Sequence, residues 1–113
     1  MIQYPLGAIM GRTEDIEWDD MKDAVNRKDR GLPFPLAARL FDGRPRLDGV
    51  SRKSPPGEAR FETMAELAGN VLFCVWTWNG ERRRIISLRI ANRSERRAYR
   101  EAVAGGGPPS GDD

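Results

Sequence analysis

The sequence predicts an α+β fold: a small antiparallel sheet of about four strands, with two helices before it and one after. Three observations carry that expectation. Segments at 59–67, 71–78 and 81–90 have strand patterning and are joined by the short turns "AGN" and "NG". Two stretches before them and one after space their apolar residues at helical intervals. A length of 113 residues suits one domain with a single modest core.

The elements follow in chain order. "MIQYPLGAIMGR", residues 1–12, has no period and is expected to be an N-terminal extension. "EDIEW" at 14–18 predicts a short strand, after which Asp19 can cap a helix running to about Asp29. The apolar stripe of that helix is Met21, Ala24 and Val25, and Gly31 stops it. In "LPFPLAARLF" Pro35 can begin a second short helix carrying Leu36, Ala37, Leu40 and Phe41. Residues 42–58 are rich in Gly, Pro, Ser and Arg and predict a loop with one short edge strand near 46–50.

The meander comes next. "ARFETMAEL" alternates, whereas "VLFCVWTW" is apolar throughout, as a central strand covered on both faces would be. Asn79-Gly80 is a strong hairpin signal and leads into "ERRRIISLRI". A last helix is expected over about 93–103, with a flexible tail over 105–113, leaving 13–104 as the single folded domain.

Charge is unevenly placed. The net charge is +2, yet Asn79–Glu101 holds eight arginines against three acids, while Thr13–Arg30 holds seven acids against four bases. A segregated basic surface on a nearly neutral chain points to an anionic partner. Sixteen arginines against three lysines suit bidentate phosphate contacts. With no histidine and one cysteine, a zinc or haem site is not expected, and neither a cofactor nor a metal is implied. Cys74 cannot form an intramolecular disulfide and reads as a buried hydrophobe. No signal peptide or long apolar run is legible, so a cytoplasmic protein without membrane contact is expected.

Within the basic block, strand alternation places Arg83, Ile85, Ser87 and Arg89 on one face and Arg84, Ile86, Leu88 and Ile90 on the other. An arginine ending a mostly apolar strand needs an anion, and for Arg89 that anion is either a ligand or Glu95. In the last helix Glu95, Ala98, Tyr99 and Ala102 share a face, and Arg93, Arg96, Arg97 and Arg100 take the others. Asn92 and Glu95 have capping-box spacing. Tyr99 has the character of a core anchor with its hydroxyl at the rim. Trp76 and Trp78, on one strand face, read as core before platform.

The order of "EWDDMK" at 17–22, Asn26 with Gly31, "LFD" at 40–42, "GEARF" at 57–61, "VLFCVWT" at 71–77, "RRRIISLR" at 82–89 and "ERRAY" at 95–99 resembles the BrnT family of ribonuclease toxins, which have a RelE-like fold. The "RIIS-x-R…ERR-x-Y" ending is the specific part. The resemblance implies an RNA-cleaving toxin of a type II toxin–antitoxin system. It implies a hetero-oligomer with a BrnA-like ribbon-helix-helix antitoxin, through which the complex binds operator DNA. By position, Arg60, Arg89, Glu95, Arg97 and Tyr99 match residue types the family places around a basic groove. One departure stands out: where the family typically reads Lys-His before glycine, this chain has Asp29-Arg30.

RNA cleavage without a metal needs a base for the 2′-hydroxyl, an acid for the leaving 5′-oxygen and cations for the charge building on phosphate. Arg60 and Arg89 are expected to stabilise phosphate, with Glu95 as base and Tyr99 or another group as acid. Arg30, Arg84, Arg93, Arg96, Arg97 and Arg100 are expected to bind the RNA backbone. Arg60, Arg89 and the helix arginines should then converge on one concave surface. Two other readings stay open: a protein of this fold that binds antitoxin or RNA without cleaving, and a domain whose arginine face is merely solvated.

Overall fold

A computed structural model describes residues 10–105. The strands are β1 (Met10–Arg12), β2 (Ile16–Asp19), β3 (Arg46–Val50), β4 (Phe61–Leu67), β5 (Asn70–Asn79) and β6 (Arg82–Ile90); the α-helices are α1 (Asp20–Arg30) and α2 (Arg93–Ala104), and a 3-10 helix spans Phe34–Phe41. They form one sheet in the order β1-β2-β6-β5-β4-β3. All neighbouring strands are antiparallel except β2 and β6, which run parallel.

The α+β class holds, with two corrections. The sheet has six strands and is mixed, where about four antiparallel strands were expected. Residues 10–12, assigned to the extension, fold back on β2 through a turn in which Thr13 Oγ1 accepts from the Asp15 and Ile16 N–H groups. Residues 1–9, and all of the expected tail except Gly105, lie outside the described residues. The second correction concerns Phe34–Phe41, which is a 3-10 helix and not the second α-helix expected. Pro35 near its start has no N–H to give to helical bonding, and the segment opens with a tight bond from Leu36 N–H to the Pro33 carbonyl.

Helix α1 begins and ends as expected. Asp19 accepts from the Met21 and Lys22 N–H groups, and Gly31 takes the left-handed φ of 70° that closes the helix. Its packing face is the opposite of the one anticipated. Met21 and Val25 are 79% and 56% exposed, whereas Asp23 and Asn26 are buried. Those polar groups dock the helix: Asp23 accepts from the Phe34 N–H, and the Asn26 amide donates to the Leu32 and Leu88 carbonyls.

Strand β5 lies between β4 and β6 and is covered on both faces, as its continuous apolar run predicted. On one face Ile16, Phe34, Ala37, Leu40, Leu72, Cys74, Trp76, Ile85 and Leu88 form the larger core beneath the 3-10 helix. On the other face Met64, Val71, Phe73, Ala91 and Tyr99 form a smaller core with α2. Helix α2 covers only part of that second face.

A β-bulge decides which arginines share a face. Val75 pairs with Ser87 and Trp76 with Ile85, leaving Ile86 as the extra residue of β6. Alternation therefore restarts at the bulge. Ile85 and Leu88 both enter the larger core, and Arg83 lies with them, over the Phe41, Trp76 and Trp78 rings. Ser87 and Arg89 go to the α2 face. The expected grouping of Arg83 and Ile85 with Ser87 and Arg89 is corrected accordingly.

Candidate functional site

The uncovered part of the α2 face is a groove of about 770 Å³. Its floor comes from three neighbouring strands: Glu62 and Met64 of β4, Phe73 and Val75 of β5, and Ser87 and Arg89 of β6. One wall is the loop after β3, carrying Arg52, Lys53 and Arg60, and the other is the first turn of α2, with Ser94 and Glu95. Four cations and two carboxylates therefore line it, a surplus of positive charge on a concave surface.

Arg89 is held from two directions. Its guanidinium lies 4.1 Å from the centre of the Phe73 ring. Its two terminal nitrogens donate to the two oxygens of Glu95 at 2.8 and 2.9 Å, a fork-to-fork pair. Glu95 also closes the capping box of α2: its Oε1 accepts from the Asn92 N–H at 2.8 Å, while the Asn92 side chain accepts from the Glu95 N–H at 2.9 Å. The hydrogen bond from Arg89 is the largest influence holding the Glu95 carboxyl below its ordinary range, with the Asn92 N–H adding to it against partial burial. The same hydrogen bond raises Arg89.

Arg60 stands immediately before β4, on the parity of Glu62 and Met64. Its side chain pairs with Glu58 at 3.3 Å. Its backbone is clamped by the loop: the Arg60 N–H donates to Ser54 Oγ at 2.9 Å, and its carbonyl accepts from the Ser51 N–H at 2.8 Å. These bonds hold residues 51–54 against the start of β4 and bring Arg52 and Lys53 to the rim. Sequence reasoning missed both cations. The "SRKS" run was the available signal, with serines able to tie a loop locally. Glu62 was missed as well, although alternation in "ARFETMAEL" puts it beside Arg60.

Of the site residues expected from sequence, the groove brings together Arg60, Arg89 and Glu95 and does not take in the others as lining residues. Tyr99 is buried beneath α2, its hydroxyl donating to the Pro45 carbonyl at 2.9 Å and accepting from the Glu66 N–H at 3.3 Å. Arg30 lines a neighbouring depression of about 360 Å³ across the bulge and donates to Asn26 Oδ1 and the Leu88 carbonyl. The two depressions share Ile86 and Ser87. Arg84 pairs with the buried Glu17. Arg93 and Arg97 line a separate shallow depression at the start of α2. Arg96 donates to the Ala91 carbonyl, and Arg100 pairs with Glu66. The full convergence of helix arginines on the groove is thus not what the fold builds: α2 turns them outward and presents Glu95 instead.

Cys74 is fully buried, and burial pushes its thiol up. Among the described residues no three His, Cys, Asp or Glu side chains cluster as metal ligands, and no helix is long and apolar enough to cross a membrane.

Residues 18–95 match the family described as ribonuclease toxin, BrnT, of type II toxin-antitoxin system. The matched span contains the bulged strand, the whole groove floor and the Arg89–Glu95 pair. No curated protein matches the chain.

Proposed function

The chain belongs to the BrnT family of ribonuclease toxins of type II toxin–antitoxin systems, whose members act with an antitoxin partner, and we propose that the groove between the β3–β4 loop and α2 is its endoribonuclease site. The observation that carries this reading is the Arg89–Glu95 pair on the floor of a cation-lined groove.

In this reading single-stranded RNA lies along the groove, with Arg52 and Lys53 at the rim and the scissile phosphate between Arg60 and Arg89. The 2′-hydroxyl attacks its own phosphorus, the 5′-oxygen leaves, and the products are a 2′,3′-cyclic phosphate and a 5′-hydroxyl. Arginine suits the charge that builds on the phosphoryl oxygens and, always protonated in proteins, does not carry the proton. That falls to Glu95. Paired with Arg89 it is a weak base, since the pair holds its carboxyl down. A phosphate that draws the guanidinium away removes the largest cause of that depression, so the carboxylate becomes more basic as substrate arrives. Tyr99 is assigned to anchoring α2, and protonation of the leaving oxygen to water. Positioning and electrostatics then provide most of the acceleration, by a metal-independent route.

Arg93, Arg96, Arg97 and Arg100 bind flanking RNA backbone from the outer faces of α2, and Arg84 from the far end of β6. Arg30 acts through the fold, joining α1 to β6. The partner is a BrnA-like ribbon-helix-helix antitoxin, operator DNA is bound through it, and the site of action is the cytoplasm.

Purified protein incubated with RNA and a chelator tests this directly. Cleavage leaving cyclic phosphate ends is expected. Salt-sensitive binding with no cleavage would instead support a protein that sequesters RNA or antitoxin.

A further inference from the structure

We propose that Glu62 makes the groove selective for guanine, accepting both the N1–H and the exocyclic N2 amine of a base laid against β3 and β4. This rests on the groove being an RNA site.

The other acids at or beside the groove are committed. Glu95 is bound by Arg89 and Glu58 by Arg60. The Glu62 carboxylate is half-buried on the floor and, among the described residues, takes no side-chain hydrogen bond and no ion pair, although its charge acts on nearby Arg89. An ionised carboxylate only accepts hydrogen bonds, and in a groove that attracts phosphate it repels the backbone. It is compatible with bound RNA where a base edge, not a phosphate, comes to it.

The surroundings suit a base. Across the sheet Glu62 stands in the row Gly49, Glu62, Val75, Ser87. Gly49 leaves its side of the carboxylate bare, and a Cβ built there would meet nothing within 4 Å. A planar ring can therefore lie on the exposed β3 backbone at the groove's edge, with its edge toward Glu62 and Met64 diagonal to it. Single-stranded RNA offers such edges, because its unstacked bases are read on the Watson–Crick side.

The donor pattern selects the base. Guanine presents two adjacent donors, N1–H and the N2 amine, which match the two oxygens of a carboxylate. Adenine and cytosine set one amine beside an acceptor, and uracil flanks its single N–H with two carbonyls. Those acceptors would face a negative oxygen, which penalises the wrong bases as well as favouring the right one.

The test is binding of short single-stranded oligonucleotides, uniform except for one central guanosine, inosine, adenosine or uridine, to the full chain by fluorescence anisotropy. Guanosine should bind about tenfold tighter than inosine, which lacks the N2 amine, and tighter again than uridine. Glu62→Gln should bring these affinities to within about twofold of one another, because the amide turns an acceptor into a donor. Gly49→Val, which fills the bare patch and leaves the carboxylate chemically unchanged, should also erase the preference, and circular dichroism establishes that both variants fold. Equal binding of all four by the unaltered protein, or a guanine preference that survives Glu62→Gln, would overturn the proposal. RNA bound with the guanine preference but never cut would leave this inference standing and remove the endoribonuclease reading instead.

Discussion

Arg89 and Glu95 meet fork to fork, at 2.8 and 2.9 Å, across the junction of the last strand and the last helix. The oxygen that takes the shorter bond also accepts from the Asn92 N–H and so caps α2. One carboxylate therefore positions the groove's central cation and starts the helix that walls the groove. Helix cap and groove residue are thus one side chain.

That double role has a pH consequence. The folded Glu95 carboxyl lies below its ordinary value of 4.5, chiefly through the Arg89 hydrogen bond. A carboxyl depressed on folding contributes stability that is present above its unfolded pKa and lost as pH falls through the folded one. Glu95→Gln should therefore flatten the loss of stability below about pH 4.5. At neutral pH the variant should be less stable by about 1 kcal/mol, since the amide keeps a cap acceptor but loses the charged pair. Urea unfolding at pH 7 and below pH 4.5 measures both effects, and an unchanged acid limb would count against the pair.

Tyr99→Phe separates anchor from acid. Removing the hydroxyl leaves the Pro45 carbonyl and the Glu66 N–H without their partner, which costs about 1–3 kcal/mol. Unfolding midpoints should drop while the cleavage rate of the folded protein stays within about twofold of the original. A loss of two decades in rate with the fold intact would restore Tyr99 to the chemistry.

Arg30→His places at this position the histidine that the resemblance to the family implies. Arg30 is engaged with Asn26 and the Leu88 carbonyl, outside the groove lining, so the substitution should not raise the rate. The pH–rate profile should show no new inflection near pH 6.5. Appearance of one, with faster cleavage, would mean that a proton carrier at this position reaches the substrate.

The antitoxin is expected to place an acidic segment in the groove, since four cations line it and one of its two carboxylates is paired. Hydrogen exchange should show protection of residues 51–54 and of the first turn of α2 on complex formation. Protection confined to α1 would contradict this.

How far the fold could be read from sequence depended on the range of the interactions that decide each element. The Asn79-Gly80 turn, the double-sided β5 and the caps at Asp19, Gly31 and Asn92 are local and were legible. The bulge at Ile86 was not, because it is settled by pairing between β5 and β6. The inverted face of α1 was hidden for the same reason: Asn26 is buried because it reaches the Leu88 carbonyl, 62 residues away. At the site, parity and capping spacing pointed to Arg89 and Glu95 and the family resemblance to Arg60, whereas Arg52 and Lys53 depend on a loop folded by Ser51 and Ser54. The α2 arginines lie outside the groove lining, and this was not legible, since charge density in sequence says nothing about which way a helix turns.

On the proposed reading, catalysis belongs to the groove and not to the arginine-rich surface of α2. Single-turnover cleavage of one RNA by three proteins tests it: the unaltered chain, Arg89→Ala, and the double variant Arg93→Ala with Arg97→Ala. Loss of a phosphate contact made in the transition state is worth ~3 kcal/mol, so Arg89→Ala should slow cleavage by about two decades while remaining folded. The α2 double variant should weaken RNA binding and its salt dependence yet keep the saturated rate within about threefold. A folded Arg89→Ala protein that cleaves at the original rate, or a double variant that alone loses the rate, would contradict it.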